Sequence, residues 1–419
     1  MVQLHFNVLP QGFVIPPRRF AAAALLASGT LAWFFLLSLY LVDLLMKMTP
    51  GPSWTTLGQV LFFGTGILSA ILGSLINDKL NRKFLWTWIT FGLISTALLA
   101  FSQGTVFSLF VCILLGFSLG LGLPSSLAFL ANRTTVEVRG RTAGTSILVT
   151  FVMAFLAIGI INILNSEMLV IVFLCIVVRS TSFLALVLEK DEEKRIEYKS
   201  QLPKPDYREL SFYLFPWIMF VITSVIASNL IPSTDDLASA ISYGTIFRYA
   251  FIALFGFIWG VIADRVGRKW PIIIGLSVLG IGFIMLGLSI SSSTVFSYLA
   301  ISGVAWGSFL TIYLVIPGDL SIPDFREKFY ALGTISPLII MFSLIILLSA
   351  TSPPFPPSSF SQILSALLFL SIIPVWQAKE TLHESKIQER RMREYTERVA
   401  KNIQETEETE EKNNFELSD

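Results

Sequence analysis

Two short segments of this chain gather acid and base where one apolar run gives way to the next. One reads Gly260-Val-Ile-Ala-Asp264-Arg265-Val-Gly267-Arg268-Lys269, the other Ser74-Leu-Ile-Asn-Asp78-Lys-Leu-Asn81-Arg82-Lys83. An aspartate among so many cations is unusual. A carboxylate is stabilised beside a neighbouring helix N-terminus, where free N–H groups and the helix dipole favour negative charge. The chemistry this offers is mechanical: a latch that holds one helix to another. Gly267 can take the left-handed conformation that ends a helix, and Asn81 is the next-best residue for it.

A second set of candidates lies inside the apolar runs, where an ionisable residue is costly and marks a functional site by default. Arg179 is about 16 Å into its run, near the midplane. Arg248 lies in the outer half of another run, and Asp43 closes the first run at the outer mouth. Arg248 has no acid within a turn of it. Its partner is either Asp43, forming an outer gate, or an anionic group on a substrate held by a bidentate fork. Arg179 either bonds to backbone carbonyls or lines a crevice, and Asp43 is otherwise a simple interfacial helix end. Ser224, Ser228, Asn229, Trp306, Ser308, Thr311 and Tyr313 add polar and aromatic positions that serve either packing or a substrate.

Other chemistry has little to stand on. His5 and His383 lie near opposite ends of the sequence, and Cys112 and Cys175 fall inside apolar runs as core residues rather than a disulfide or metal pair. No phosphate-binding loop is present. The expectation is no metal, no cofactor, no catalytic cluster and no ATP-driven step; the chain is not read as an enzyme.

The elements that must position these residues follow from composition. Apolar residues make up 54% and charged residues 14%, against about 25% charged in soluble domains. Runs able to span a bilayer recur near 20–43, 57–77, 84–102, 106–131, 142–164, 168–188, 211–231, 240–263, 271–290, 294–317, 328–349 and 360–377. The first is too long for a signal-peptide core and lacks a cleavage site, so it reads as a retained helix. If Arg18 and Arg19 are cytoplasmic and the runs alternate, 27 of the 30 basic residues fall inside and only Lys47 outside, as the positive-inside rule requires. Both termini are then cytoplasmic. The long polar stretch 189–210 divides the helices six and six, giving a cytoplasmic segment 1–19, a bundle 20–188, a central loop 189–210, a bundle 211–377 and a charged tail 378–419. The tail reads mainly as solubilising, its acidic end as disordered.

The halves repeat. Asp78 and Asp264 are 186 residues apart, while Gly116 and Gly120 precede Gly303 and Gly307 by 187. Glu137 and Arg139 match Asp324 and Arg326 at the same offset of 187. Such matches mark an internal duplication.

Here a resemblance becomes specific. Residues 260–269 match in full the G-x-x-x-D-R-x-G-R-K signature loop of the major facilitator superfamily, and 74–83 match it with Ser74 and Asn81 for the glycines. With twelve helices and the six-plus-six split, the resemblance covers nearly the whole chain. It implies an all-α integral membrane protein of two pseudo-symmetric six-helix bundles around a central cavity lined by helices one, four, seven and ten. Asp78, Arg82, Asp264, Arg265 and Arg268 would form cytoplasmic latches, with Asp319 a partner for Arg265 or Arg268. Two departures stand out: Gly116 replaces an arginine that many proton-coupled members carry in helix four, and 142–164 lacks the proline of drug–proton antiporters. The expected function is a monomeric secondary transporter in the cytoplasmic membrane, alternately exposing a small-molecule substrate, with or without a coupling ion. Lipid is its solvent and nucleic acid is not a partner. Its rivals are a non-transporting receptor or scaffold on the same fold and a membrane-embedded enzyme.

Overall fold

The computed structural model describes residues 16–49, 51–76, 82–102, 104–164, 167–188, 206–231, 235–350 and 357–382, with single positions at 392, 396 and 399. Asp78 and Asn81 lie outside them, as do most of 1–19, most of 189–210 and nearly all of the tail beyond Leu382.

Twelve long helices follow one another: α1 (Pro17–Met48), α2 (Pro52–Ile76), α3 (Arg82–Leu98), α4 (Thr105–Arg133), α5 (Arg139–Ile163), α6 (Met168–Leu188), α7 (Tyr207–Leu230), α8 (Asp235–Val266), α9 (Lys269–Leu288), α10 (Ser292–Leu320), α11 (Arg326–Ala350) and α12 (Pro357–Leu370). A short α13 (Ile372–Gln377) continues α12. Pro374 explains the break, since its ring excludes the carbonyl of Leu370 from a helical bond. Eleven stretches among the described residues are long and apolar enough to cross a membrane, α12 and α13 jointly making one. The remaining long helix, α11, carries Arg326, Glu327 and Lys328 in its first turn. This is a multi-pass membrane protein. Large apolar side chains such as Leu68, Leu75, Ile94, Leu156, Phe173 and Leu288 are exposed, which suits lipid contact.

Each half has its own core. Trp33, Leu36, Phe62, Cys112, Leu115 and Cys175 pack together in the N-terminal bundle. Tyr213, Phe220, Leu276, Phe283, Phe309 and Phe329 do so in the C-terminal one. The repeated glycines explain the matching layout. A Cβ on Gly116 or Gly120 would strike the backbone of α2, and one on Gly303 or Gly307 the backbone of α8. Small residues at those points let α4 lie against α2 and α10 against α8. Pseudo-symmetry extends across the halves: α5 packs on α8, and α11 packs on α2. The seam between them is a third core of Leu127, Ile147 and Phe151 against Ile252, Val315 and Tyr330.

Candidate functional site

The end of the molecule that carries Arg139, Arg141, Arg268 and Arg326, here called the basic end, is where ionic contacts between the halves gather. It is built from two helix termini. α8 ends with Asp264 in its last turn. α5 begins at Arg139, and its N-cap Val138 offers no side-chain acceptor, so the first N–H groups of α5 need a partner from elsewhere. Asp264 supplies it. Oδ1 accepts from the Gly140 N–H at 2.8 Å and Oδ2 from the Arg141 N–H at 2.8 Å. The C-terminal half thus caps a helix of the N-terminal half. Glycine at 140 and 260 permits the approach, because a Cβ at either would meet the facing helix.

Arginines complete the network. Arg268 Nη1 reaches Asp264 Oδ1 at 2.9 Å, its Nε reaches Asp319 Oδ2 at 3.1 Å, and its Nη2 donates to the Val136 carbonyl of the other half at 2.6 Å. Arg139 pairs with Asp319 across the seam and also donates Nη2 to the Ala131 carbonyl at 3.0 Å. The side chains of Asp264, Asp319 and Arg268 are wholly enclosed. Burial alone would lower the pKa of Arg268, but the carboxylates of Asp319 and Asp264 outweigh it and hold the guanidinium above its ordinary value. Gly267, at φ +113°, makes the left-handed turn between α8 and α9.

Of the latch candidates, the structure brings Asp264, Arg268 and Asp319 together. Arg265 is exposed, with no ion pair among the described residues. Arg82 donates Nη2 to the Leu186 carbonyl at 2.6 Å within its own half. Several participants lie outside the signature loops, and sequence reasoning passes over them: Gly140 and Arg141 as N–H donors, Arg139 as the partner of Asp319, and Asn132, which accepts from Arg326. The offset of 187 could have found the last, since it maps Asp319 onto Asn132 as it maps Arg326 onto Arg139. The start of the tail also joins. Glu380 accepts from the N–H groups of Arg268 and Lys269 at 2.7 and 3.2 Å, and Thr381 Oγ1 donates to Asp319 Oδ2 at 3.2 Å.

Further from the basic end, aromatic side chains from both halves meet. Phe35 of α1 and Phe151 of α5 lie 5.1 and 6.1 Å from the ring of Tyr249 on α8. Trp306 of α10 stands edge-on to Phe220 at 4.9 Å. Arg248 is half-buried beside them, its guanidinium 5.8 Å from the Trp306 ring. Among the described residues neither Arg248 Nε nor Trp306 Nε1 has a hydrogen-bond partner. Asp43 is exposed near the far end of α1 and makes no ion pair with Arg248 among the described residues. Tyr313 donates its hydroxyl to the Tyr213 carbonyl, tying α10 to α7. Ser308 and Thr311 bond to the carbonyls of Pro271 and Gly256, which commits them to packing. The side chain of Asn229 lies outside the described residues. Arg179 is fully buried within the N-terminal bundle, between the rings of Trp33 and Trp88.

No family model and no curated sequence matches this chain. Solved structures do. The human organic anion transporter MFSD10 (TETRAN) aligns with a TM-score of 0.64 at 13% identity, over 86% of this chain and 99% of that one. The major facilitator proton:xylose symporter XylE, bound to 6-bromo-6-deoxy-D-glucose, aligns with a TM-score of 0.65 at 14% identity, over 88% and 97%. At these identities the likeness is one of fold, and the fold is that of the major facilitator transporters.

Proposed function

We propose that this chain is a secondary transporter that carries a small organic anion by alternating access, and that it stands here with the basic end closed. The observation that carries the reading is Arg248. Arg139, Arg268 and Arg326 are committed to carboxylates, amides or carbonyls, whereas this half-buried guanidinium sits beside unspent Trp306 in an aromatic lining drawn from both halves. An apolar wall with one convergent fixed charge is the usual form of a small-molecule site. One structural neighbour is an organic anion transporter and the other a proton:xylose symporter, so both substrate classes belong in the test.

The Lys and Arg distribution supports a cytoplasmic basic end, with both termini on that side. On this reading Asp264, Asp319 and Arg268 form the cytoplasmic latch that breaks when the cavity opens inward. Asp43 would close toward Arg248 only in that inward-open state. The monomer, the cytoplasmic membrane and transport rather than catalysis belong to the same proposal.

Two measurements test it. In intact cells an impermeant maleimide should label Ser293→Cys, at the exposed start of α10, and spare Thr135→Cys, at the basic end; the opposite pattern inverts the topology. In proteoliposomes, uptake of a panel of aromatic carboxylates, aromatic sulfonates and neutral pentoses should show carboxylate or sulfonate flux that Arg248→Ala abolishes. Pentose flux that survives Arg248→Ala would replace the anion reading with a sugar one.

A further inference from the structure

Trp217 of α7 serves a carbonyl of another helix. Its Nε1 donates to the Gly333 carbonyl of α11 at 3.2 Å, inside the C-terminal bundle. In an unbroken helix that carbonyl accepts from the N–H four residues on. Here residue 337 is proline, inside α11. Proline has no N–H, and its ring clashes with the carbonyl of residue i−4. Pro337 therefore releases the Gly333 carbonyl from the α11 ladder, and the indole takes it up. Gly333 and Pro337 are both buried, so losing the indole N–H would leave a costly acceptor without that bond. Gly333 also lets α11 lie close to α10, where a Cβ on it would stand 3.2 Å from Pro317 Cγ. The arrangement belongs to one half. At the offset of 187, Thr150 of α5 stands where α11 has Pro337.

The neighbours of this bond give it a role. Towards the basic end, α11 starts at Arg326, which reaches Asn132 across the seam, and the helix packs on α2 and α4 of the other half. Helices hinge where proline interrupts the ladder, so the segment from Arg326 to Gly333 can turn against the rest of α11. On the other side, the Trp217 ring stacks on Tyr313 at 4.9 Å and on Phe309 at 5.6 Å, and meets Trp306 edge-on at 5.9 Å. Trp306 is the ring beside Arg248 in the aromatic lining. One side chain thus touches the lining with its ring and the α11 break with its N–H. We propose that Trp217 is a positioning residue of the transport cycle. Its N–H holds α11 at the Pro337 break while the basic end is closed, and its ring ties that hold to the lining. A ligand that shifts Trp306 moves the indole off the Gly333 carbonyl and frees the Arg326 segment to leave Asn132. The role rests on the alternating-access reading above, but not on the charge of the substrate.

The test uses the full chain in lipid nanodiscs without substrate. Spin labels at Thr87→Cys on α3 and Asp324→Cys just before α11, both exposed, report the separation of the halves at the basic end. Trp217→Phe keeps a ring in the stack and removes the N–H. The ratio of closed to open should fall about three- to tenfold. Pro337→Ala restores an N–H that takes up the Gly333 carbonyl within α11. In that background Trp217→Phe should change the ratio by less than about twofold, a suppression that a ring needed only for packing would not show. Trp306→Ala removes the edge contact with the indole and should shift the ratio in the same direction, by less than Trp217→Phe does. An effect of Trp217→Phe that persists in full beside Pro337→Ala would overturn the assignment, and unchanged distances in Trp306→Ala would overturn the tie to the lining. Movement in Asp264→Asn but not in Trp217→Phe would overturn the role of Trp217 alone. Movement in neither would overturn the alternating-access reading with it. Where Pro337→Ala does not fold, Pro337→Ser restores the same N–H and decides.

Discussion

Two corners of the basic end follow one plan with different electrostatics. In one, Arg139 from the start of α5 reaches Asp319 at the end of α10. In the other, Arg326 from the start of α11 reaches Asn132 at the end of α4. Both pairs are related by the offset of 187, so the acid of one corner is an amide in the other. The consequences spread outward. Asp319 draws Arg268 as well as Arg139, whereas Arg82, which the repeat maps onto Arg268, turns to the carbonyl of Leu186. Arg326 makes no ion pair among the described residues, and burial together with the like charge of Arg139 outweighs Tyr330 and Asp319 and pulls its pKa down to about 10. Duplication preserved the geometry of both clasps and full ionic strength in one. On the proposed cycle the charged corner sets most of the free energy of closure, and the amide corner aligns the halves.

The largest expected effect is at Asp264, which accepts two N–H groups of α5 across the seam. Asp264→Asn keeps the shape but removes the charge and one acceptor for the α5 N-terminus. Losing a charge-assisted bond of about 1.5–3 kcal/mol shifts closed against open by roughly ten- to a hundredfold. Spin labels at Thr135→Cys and Trp270→Cys, both exposed, report the separation of the halves, and the buried Cys112 and Cys175 stay unlabelled. Unchanged distances would reduce the motif to a turn.

Asp319→Asn comes next and turns the charged corner into a copy of the neutral one. The molecule already shows that a partly buried arginine tolerates an amide there, so the cost is bounded. A shift of about tenfold toward opening is expected in the same distance measurement. A shift larger than that of Asp264→Asn would make Asp319 the main clasp. The converse, Asn132→Asp, gives Arg326 a directly paired carboxylate and should move the equilibrium a few-fold toward closure. Slower inward opening by stopped-flow fluorescence checks it. Faster opening would show that the extra buried charge costs more than its pairing returns.

The helices and their contact points are legible in the sequence. Apolar runs and segregated Lys and Arg give the twelve helices, and the repeated glycines mark where α4 meets α2 and α10 meets α8. The preference of Asp264 for a helix N-terminus also follows from its surroundings. Which helix it caps does not, because α5 and α8 meet only through tertiary packing. Asn132 is silent for a different reason. A neutral amide carries no charge signal, and only superposing the halves shows that it stands where the other has Asp319. Arg179 is visible as a charge at depth. Its enclosure by Trp33 and Trp88 is not, since those rings come from two other helices far away in the chain. α12 and α13 read as one run because hydropathy does not register the carbonyl that Pro374 displaces.

The smallest expected effect concerns the first residues of the tail. Glu380 covers the N–H groups of Arg268 and Lys269, where α9 begins. Its carboxylate lies against Gly267, and a side chain at that glycine would collide with it. Lys269 Nζ returns the contact by donating to the carbonyls of Trp376 and Ala378, each at 2.8 Å. The segment therefore braces the same turn that aims Arg268 at Asp264 and Asp319, but it does so within one half. It does not cross the seam, so Glu380 acts on closure through the position of Arg268, while Thr381 reaches the Asp319 carboxylate. Glu380→Gln retains an acceptor for one N–H and loses the charge that complements the helix terminus, a change of about 0.5–1 kcal/mol. Closure should weaken two- to fivefold, and the melting temperature should fall by about 1–4 °C. The double variant Glu380→Gln with Arg268→Gln separates bracing from a direct role. If Glu380 works through Arg268, the second substitution should add almost nothing to the distance change of Arg268→Gln alone. Additive changes would make the tail an independent clasp and break the equation of the charged corner with the seam.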